Sequence, residues 1–223
     1  QAGVLMTTTS NTVLIGKSTG AAINSTDANG TIAIGYEAGR LLTSGAGNTL
    51  MGYRAARSAT DSVTGAVAIG YDAMYSNTDS AGNIAIGYFA LRQASGGSSR
   101  DYNVAIGYDA IRNGNPHVSI AIGYNAGNYL KDGATGAVHI GAEAGNYASA
   151  SRNVFMGYQA GMGGTTSAPY SSGTSNVAVG YQALKSFTTG DKNVAIGEAA
   201  GDSITEGGQN TLVGYSAGHN ITT

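Results

Sequence analysis

The sequence predicts an all-β fold: a parallel β-solenoid, or β-roll, of about twelve coils with a mean period of 18 residues. Three observations predict it. A short block returns along the whole chain; β-branched residues alternate with small ones inside it; and glycine is abundant while charge is scarce.

The block reads Asn-x-Ala-Ile-Gly-Tyr-x-Ala. Its central glycines are Gly16, Gly35, Gly52, Gly70, Gly87, Gly107, Gly123, Gly141, Gly157, Gly180, Gly197 and Gly214, so 198 residues are spread over eleven intervals. Single intervals run from 16 (Gly107 to Gly123) to 23 (Gly157 to Gly180), and the variation lies between blocks. The residue before the glycine is mostly Ile, as in Ile34, Ile69, Ile86, Ile106, Ile122 and Ile196. Three before it stands a β-branched residue, such as Val13, Ile32, Thr49 or Val67, and between the two is usually Ala, such as Ala33, Ala68 or Ala105. Side chains alternate across a strand, so Val-Ala-Ile puts two branched residues on one face and a small one opposite. Stretches 43–47, 95–99 and 163–167 carry Gly, Ser and Thr and read as turns or loops.

A strand this short cannot bury its faces alone. Parallel stacking sets each Ile ~4.8 Å above its counterpart, in a rod of roughly 55 Å. The expectation is an Ile column that forms the core, with Ala and Gly on the reverse face open to close approach by another surface. That surface makes a homotrimer a natural assembly, and the unpaired strand edges expected at the ends of the array make an end-to-end filament the alternative.

Tyr follows the glycine in nine copies: Tyr36, Tyr53, Tyr71, Tyr88, Tyr108, Tyr124, Tyr158, Tyr181 and Tyr215. Stacked, these rings wall the core or an interchain seam; exposed, they form a sugar-stacking surface. Five after the glycine stands a basic residue in several copies (Arg40, Arg57, Arg92, Arg112, Lys185). Strict alternation would place it on the Ile face, where an unpaired charge is too costly, so a corner is expected between Tyr-x-Ala and the basic residue. The basic column is a candidate edge for an anionic glycan or lipid phosphate, weighed against a charged edge that keeps the rod soluble. The asparagines that open the blocks (Asn48, Asn83, Asn103, Asn153, Asn176, Asn193, Asn210) suggest a hydrogen-bonded ladder.

Residues 1–10 read as an N-terminal extension, with Val4-Leu5-Met6 a possible donor strand, and 11–223 as a single tandem-repeat solenoid. The opening QAGVLMTTTS lacks the basic start of a signal peptide, so an export signal is expected to have been removed or never included.

Composition narrows the function. Charged residues are 11% of the chain, against roughly 25% in an average globular protein. A net charge of −2 argues against nucleic acid, and no run reaches the ~20 apolar residues of a membrane span. There is no cysteine, so disulfides and thiolate metal sites are excluded. His117, His139 and His219 share no repeat position and have no partners at ligand spacing. Gly16-Lys17-Ser18 lacks the earlier glycine of a phosphate loop, since Asn11 stands there. Glu37, Asp72, Asp109 and Glu143 fall in different coils with basic residues nearby, which favours surface pairing over acid–base chemistry. Asp27-Ala28-Asn29 and Asp79-Ser80 offer too few oxygens for calcium. No cofactor and no enzymatic activity are expected.

The blocks NIAIGY (83–88), NVAIGY (103–108), NVAVGY (176–181) and NVAIGE (193–198) resemble the repeat of YadA-like head domains of trimeric autotransporter adhesins. They are also similar to repeats of phage and viral tail-fibre proteins. The likeness runs from Asn11 to Gly218. It implies a left-handed parallel roll, three rolls about an axis, and adhesion to host surfaces, matrix proteins or surface glycans. A longer period and a nearly fixed Tyr bring this chain nearer to the tail-fibre version.

The expected function is a non-enzymatic structural or adhesive fibre segment, extracellular, on a cell surface or on a virion. Its expected partners are itself and a surface glycan or host receptor. The alternative is a self-assembling extracellular filament subunit with a purely structural role. Ice binding fits less well, because Thr is scattered while the regular columns are Ile, Ala and Tyr.

Overall fold

The computed structural model describes residues 11–24, 28–60, 63–78, 81–93, 101–131 and 134–222. The possible donor strand Val4-Leu5-Met6 and the acidic residues Asp27 and Asp79 lie outside them. Twelve strands of three residues follow one another: β1 (Val13–Ile15), β2 (Ile32–Ile34), β3 (Thr49–Met51), β4 (Val67–Ile69), β5 (Ile84–Ile86), β6 (Val104–Ile106), β7 (Ile120–Ile122), β8 (Val138–Ile140), β9 (Val154–Met156), β10 (Val177–Val179), β11 (Val194–Ile196) and β12 (Thr211–Val213). They form one sheet in chain order, and each neighbouring pair is parallel with block residues in register, as in Val104↔Ile120, Ala105↔Ala121 and Ile106↔Ile122. The fold is the parallel β-solenoid that the repeat predicts.

The hydrogen-bonded ladder continues beyond the strands. Glu37 N–H donates to the Lys17 carbonyl (3.0 Å), Gly39 to Ala55 (2.9 Å) and Leu41 to Arg57 (3.1 Å), so turn stacks on turn as strand stacks on strand. Coil-to-coil pairing satisfies backbone groups that an ordinary turn would leave to water.

The corner begins at the central glycine, earlier than the expected place between Tyr-x-Ala and the basic residue. In the second coil φ is +134° at Gly35, +54° at Glu37 and +57° at Gly39. Two reasons hold glycine at the first position. L side chains rarely adopt such a φ, and a Cβ on Gly87 would sit 2.5 Å from the carbonyl oxygen of Gly107 in the next coil.

The faces of the strand are the reverse of the expectation. Ala33, Ala68, Ala85, Ala105, Ala121, Ala178 and Ala195 point inward and are fully buried. The residues on either side point outward: Ile34, Ile69, Ile86, Ile106 and Ile122 are half-buried, and Ile196 is exposed. The Ile column is therefore outer surface and the small column is core. The reason is space. Eleven coils also carry an Ala three after the glycine (Ala38, Ala55, Ala73 and Ala90 are fully buried). Four turn inward a large residue four after it (Met74, Leu91, Ile111, Leu184), and some bury one seven after it (Ile23, Leu42, Leu130, Phe187, Ile204), all at most 1% exposed. A cross-section with one three-residue strand has no room for two more branched side chains at interior density.

The two inward positions trade volume. Where the strand centre and its counterpart in the next coil are both Ala, as for Ala68, Ala85, Ala105 and Ala178, the fourth residue after the glycine is Met74, Leu91, Ile111 or Leu184. Where the next coil brings Leu50, His139 or Leu212 against that position, an Ala centre (Ala33, Ala121, Ala195) goes with Gly39, Gly127 or Gly201. Where the centre is Leu14, His139, Phe155 or Leu212, that residue is Gly20, Gly145, Gly161 or Gly218. A Cβ on each of these glycines would collide with the large neighbour. The apolar core runs in two sections, Ile23 to Ala137 and Ala144 to Ile204, with the buried His139 between them in the chain.

The asparagines form the anticipated ladder. Asn176 Oδ1 accepts the N–H of Asn193 (2.9 Å), and its Nδ2 donates to the Gly190 carbonyl (2.8 Å). Asn153 and Asn193 repeat the arrangement with their own neighbours. Each side chain thus ties its own coil to the next from a buried position.

Candidate functional site

Reversal of the strand gives the rod an exposed apolar face. It comprises the outer residue before each strand centre (Ile32, Val67, Ile84), the one after it (Ile34, Ile69, Ile86), and the Tyr beyond the glycine. Tyr36, Tyr53, Tyr71, Tyr88, Tyr108 and Tyr124 stack one above another with centroids 4.9–5.5 Å apart. This spacing follows the ~4.8 Å rise between coils, so the backbone ladder dictates the ring ladder. The rings do not wall the core: these six are 38–51% exposed. Ala142 interrupts the stack, Tyr158 and Tyr181 resume it at 5.5 Å, and Glu198 separates them from the more exposed Tyr215.

The basic residues lie beside this face, and most are already matched. Arg57 Nε meets Glu37 Oε2 at 2.5 Å, and Arg40 lies 3.6 Å from the same carboxylate. The hydrogen bond from Arg57 holds the Glu37 carboxyl below its ordinary pKa. Arg92 is 3.5 Å from Asp72, and Arg112 is 3.0 Å from Asp109. Asp72 is almost wholly buried and takes two further bonds, at 2.9 and 2.8 Å, from Arg54. The guanidinium groups also cover aromatic faces, with Arg54 5.0 Å from the Tyr53 centroid and Arg92 and Arg112 each 4.8 Å from Phe89. Four of the five candidate ligand-edge residues thus carry internal partners, which leaves little free charge for an anion. Lys185 stands apart, half-buried in a later coil, with no ion pair among the described residues. Glu143 departs from the pattern as well: it accepts from Gln159 Nε2 at 2.6 Å, and Gln159 Oε1 accepts from Gln182 at 2.8 Å.

The histidines stay separate. His117 Nδ1 accepts the Asp101 N–H at 3.2 Å, His219 Nδ1 lies 2.8 Å from Asp202 Oδ1, and His139 is in the core. Among the described residues no three side chains of His, Asp or Glu cluster as a metal site, and no helix is long and apolar enough to cross a membrane.

A second aromatic group was not anticipated. Tyr129 and Tyr147, each six after a central glycine, stack at 5.6 Å, and Tyr170 lies 4.4 Å from Tyr129. Tyr129 and Tyr170, together with Asn113, Lys131, Ser149, Pro169 and Ser172, border a cavity of about 340 Å³. Two signals in the sequence mark it: most other coils have Ser or Asn at that sixth position (Ser58, Ser76, Asn113, Ser186, Ser203), and Tyr170 lies in the longest interval of the series.

No protein-family model matches the chain, and comparison with curated proteins and with solved structures likewise finds no match.

Proposed function

We propose that the chain is a non-enzymatic fibre segment that packs against copies of itself through the Ile and Tyr face and attaches to a host or surface ligand. One observation carries the first half: a continuous apolar and aromatic strip along one side of the rod, half-exposed from Tyr36 to Tyr124. Over all twelve coils, at ~4.8 Å per coil and three outward residues spanning ~13 Å, the Ile and Tyr face covers about 700 Å², and the unbroken part from Tyr36 to Tyr124 is about half of it. The whole face approaches the ~800 Å² each partner contributes to a standard interface, and it exceeds what monomers ordinarily leave to water. The resemblance of the repeat to adhesin heads and tail fibres supports a homotrimer and the attachment half of the reading. An extracellular place, on a cell surface or a virion, belongs to the same proposal.

The mass of the chain in solution, by light scattering during size-exclusion chromatography, tests the assembly. A trimer is expected, and Tyr71→Ser with Ile69→Ser is expected to dissociate it. A monomer at micromolar concentration would overturn the interface. Long polymers in the electron microscope would favour a purely structural filament. Attachment is tested by binding of the unaltered chain to cells and glycan arrays, where blank results overturn it.

A further inference from the structure

The cleft beneath Tyr170 lies on a different column from the stacked Tyr face, five residues further round the coil. It consists of two adjoining cavities of about 340 and 270 Å³ that share Lys131, Ser149 and Ser172. The first is aromatic, with Tyr129, Tyr170 and Pro169 on its walls. The second is lined with hydroxyls, from Ser149, Ser151, Ser172 and Thr174. Among the described residues Lys131 is the one cation that borders either cavity, and it is exposed and makes no ion pair with them.

The walls are held in place by backbone bonds. Ser171 N–H donates to the Tyr147 carbonyl (3.0 Å), Ser149 N–H to the Ser171 carbonyl (2.8 Å) and Ser172 N–H to the Thr188 carbonyl (2.7 Å). Ser171 Oγ adds a bond to the Phe187 carbonyl at 2.8 Å. The segment that carries Tyr170 is therefore fastened to the coils on both sides, and a ligand would meet a preformed site. Burial, with Tyr129 beside it, raises the pKa of the Tyr170 hydroxyl above its ordinary value.

We infer that this cleft binds a short acidic saccharide, with one sugar ring against Tyr129 and Tyr170, its neighbour among the serines, and a carboxylate at Lys131. A pyranose has an apolar face of C–H groups and a rim of hydroxyls, so it needs an aromatic plane beside hydrogen-bonding groups. The two halves of the cleft supply these in that order. The combined space lies within the ~300–1,000 Å³ typical of small-ligand sites. This inference rests on the attachment reading above and names its ligand class.

The test titrates the full chain with 3′-sialyllactose, digalacturonic acid and neutral lactose, followed by calorimetry and by NMR. At least one acidic saccharide is expected to bind better than lactose. Lys131→Gln should weaken it about tenfold, the loss of one charge-assisted contact. Tyr170→Ala should abolish binding while the circular dichroism spectrum and melting profile stay those of the unaltered chain. Lys17→Gln, an exposed cation that borders neither cavity, should change nothing. If no acidic saccharide binds, if lactose binds equally well, or if Tyr170→Ala binds normally, the inference falls. Cell attachment that survives Tyr170→Ala would overturn the cleft and leave the attachment reading standing. Saccharide binding without any cell attachment would do the reverse.

Discussion

The imidazole of His139 fills the space that a side chain at Gly145 would need. It lies in register between Ala121 and Phe155, is fully buried, and stacks on the Phe155 ring at 5.0 Å. Neither ring nitrogen has a hydrogen-bond partner. Burial alone pushes its pKa down to about 3.

That burial makes stability depend on pH. The unfolded chain takes up a proton near the ordinary histidine value of about 6.5, and the folded chain refuses it until about 3. Stability is therefore intact above pH 6.5 and falls as the pH drops towards 3. Between pH 7 and 5 the loss should be about 2 kcal/mol, at 1.36 kcal/mol per pH unit below 6.5. His139→Leu should remove it, because Leu14, Leu50 and Leu212 occupy the same strand position in other coils. Urea midpoints of both proteins at the two pH values check this. Below about pH 4.5 both proteins should lose further stability as Glu37, whose pKa Arg57 lowers, takes up its proton.

The exchange of volume between the two inward positions predicts a rescue. Gly145→Leu alone should cost about 3 kcal/mol or more, since the new side chain has no space beside His139. Gly161→Leu alone should cost as much beside Phe155. Gly161→Leu with Phe155→Ala instead reproduces the pairing of Ala178 with Leu184, where the strand centre of the next coil is also Ala and Leu already adopts a φ of +48°. More than half of the lost stability should return in the double variant. Thermal melting of the three variants decides it, and a double variant no better than Gly161→Leu alone would refute the packing argument.

Asn176→Ala should destabilise the chain by about 2–4 kcal/mol. It strands the buried N–H of Asn193 and the carbonyl of Gly190, each worth about 1–3 kcal/mol when left unsatisfied. Hydrogen exchange should show the opening centred on β10 and β11.

The ion pairs of the edge are unequal. Arg54 grips the buried Asp72 with two bonds, whereas Arg40 reaches a more exposed Glu37 at 3.6 Å. Arg54→Gln should lower the chemical denaturation midpoint clearly, by about 1–3 kcal/mol of stability, because a buried carboxylate loses its main partner. Arg40→Gln should cost less than about 0.5 kcal/mol.

Periodicity made the solenoid legible, because twelve glycines in phase with β-branched neighbours admit few other folds. The Asn ladder was legible for the same reason: a buried amide that returns at one position in seven of the twelve coils bonds along the stack. The direction of the strand was not. Val-Ala-Ile has the same alternation whichever face is inward, and larger side chains are ordinarily the buried ones. The decisive clue lay outside the block, in Met74, Leu91, Ile111 and Leu184, which already fill the interior opposite an alanine. The basic column was legible, and so were its pairs three residues apart within one coil, Arg40–Glu37 and Arg112–Asp109, whereas Arg57–Glu37 and Arg92–Asp72 cross between coils whose spacing depends on loop lengths. The cleft beside Tyr129 and Tyr170 was not legible because both residues depart from the repeat.

Coil-to-coil bonding also governs how a single chain answers tension. Each coil is tied only to its two neighbours, so a pull on the termini opens one coil at a time from an end, without shearing the sheet as a whole. A released coil of 18 residues at ~3.4 Å each would lengthen the tether by about 60 Å. Stretching of one molecule should then trace a staircase of near-equal steps, with the longest at the 23-residue interval between Gly157 and Gly180. A rod built this way yields in instalments, and what remains folded keeps its full grip until its own turn comes.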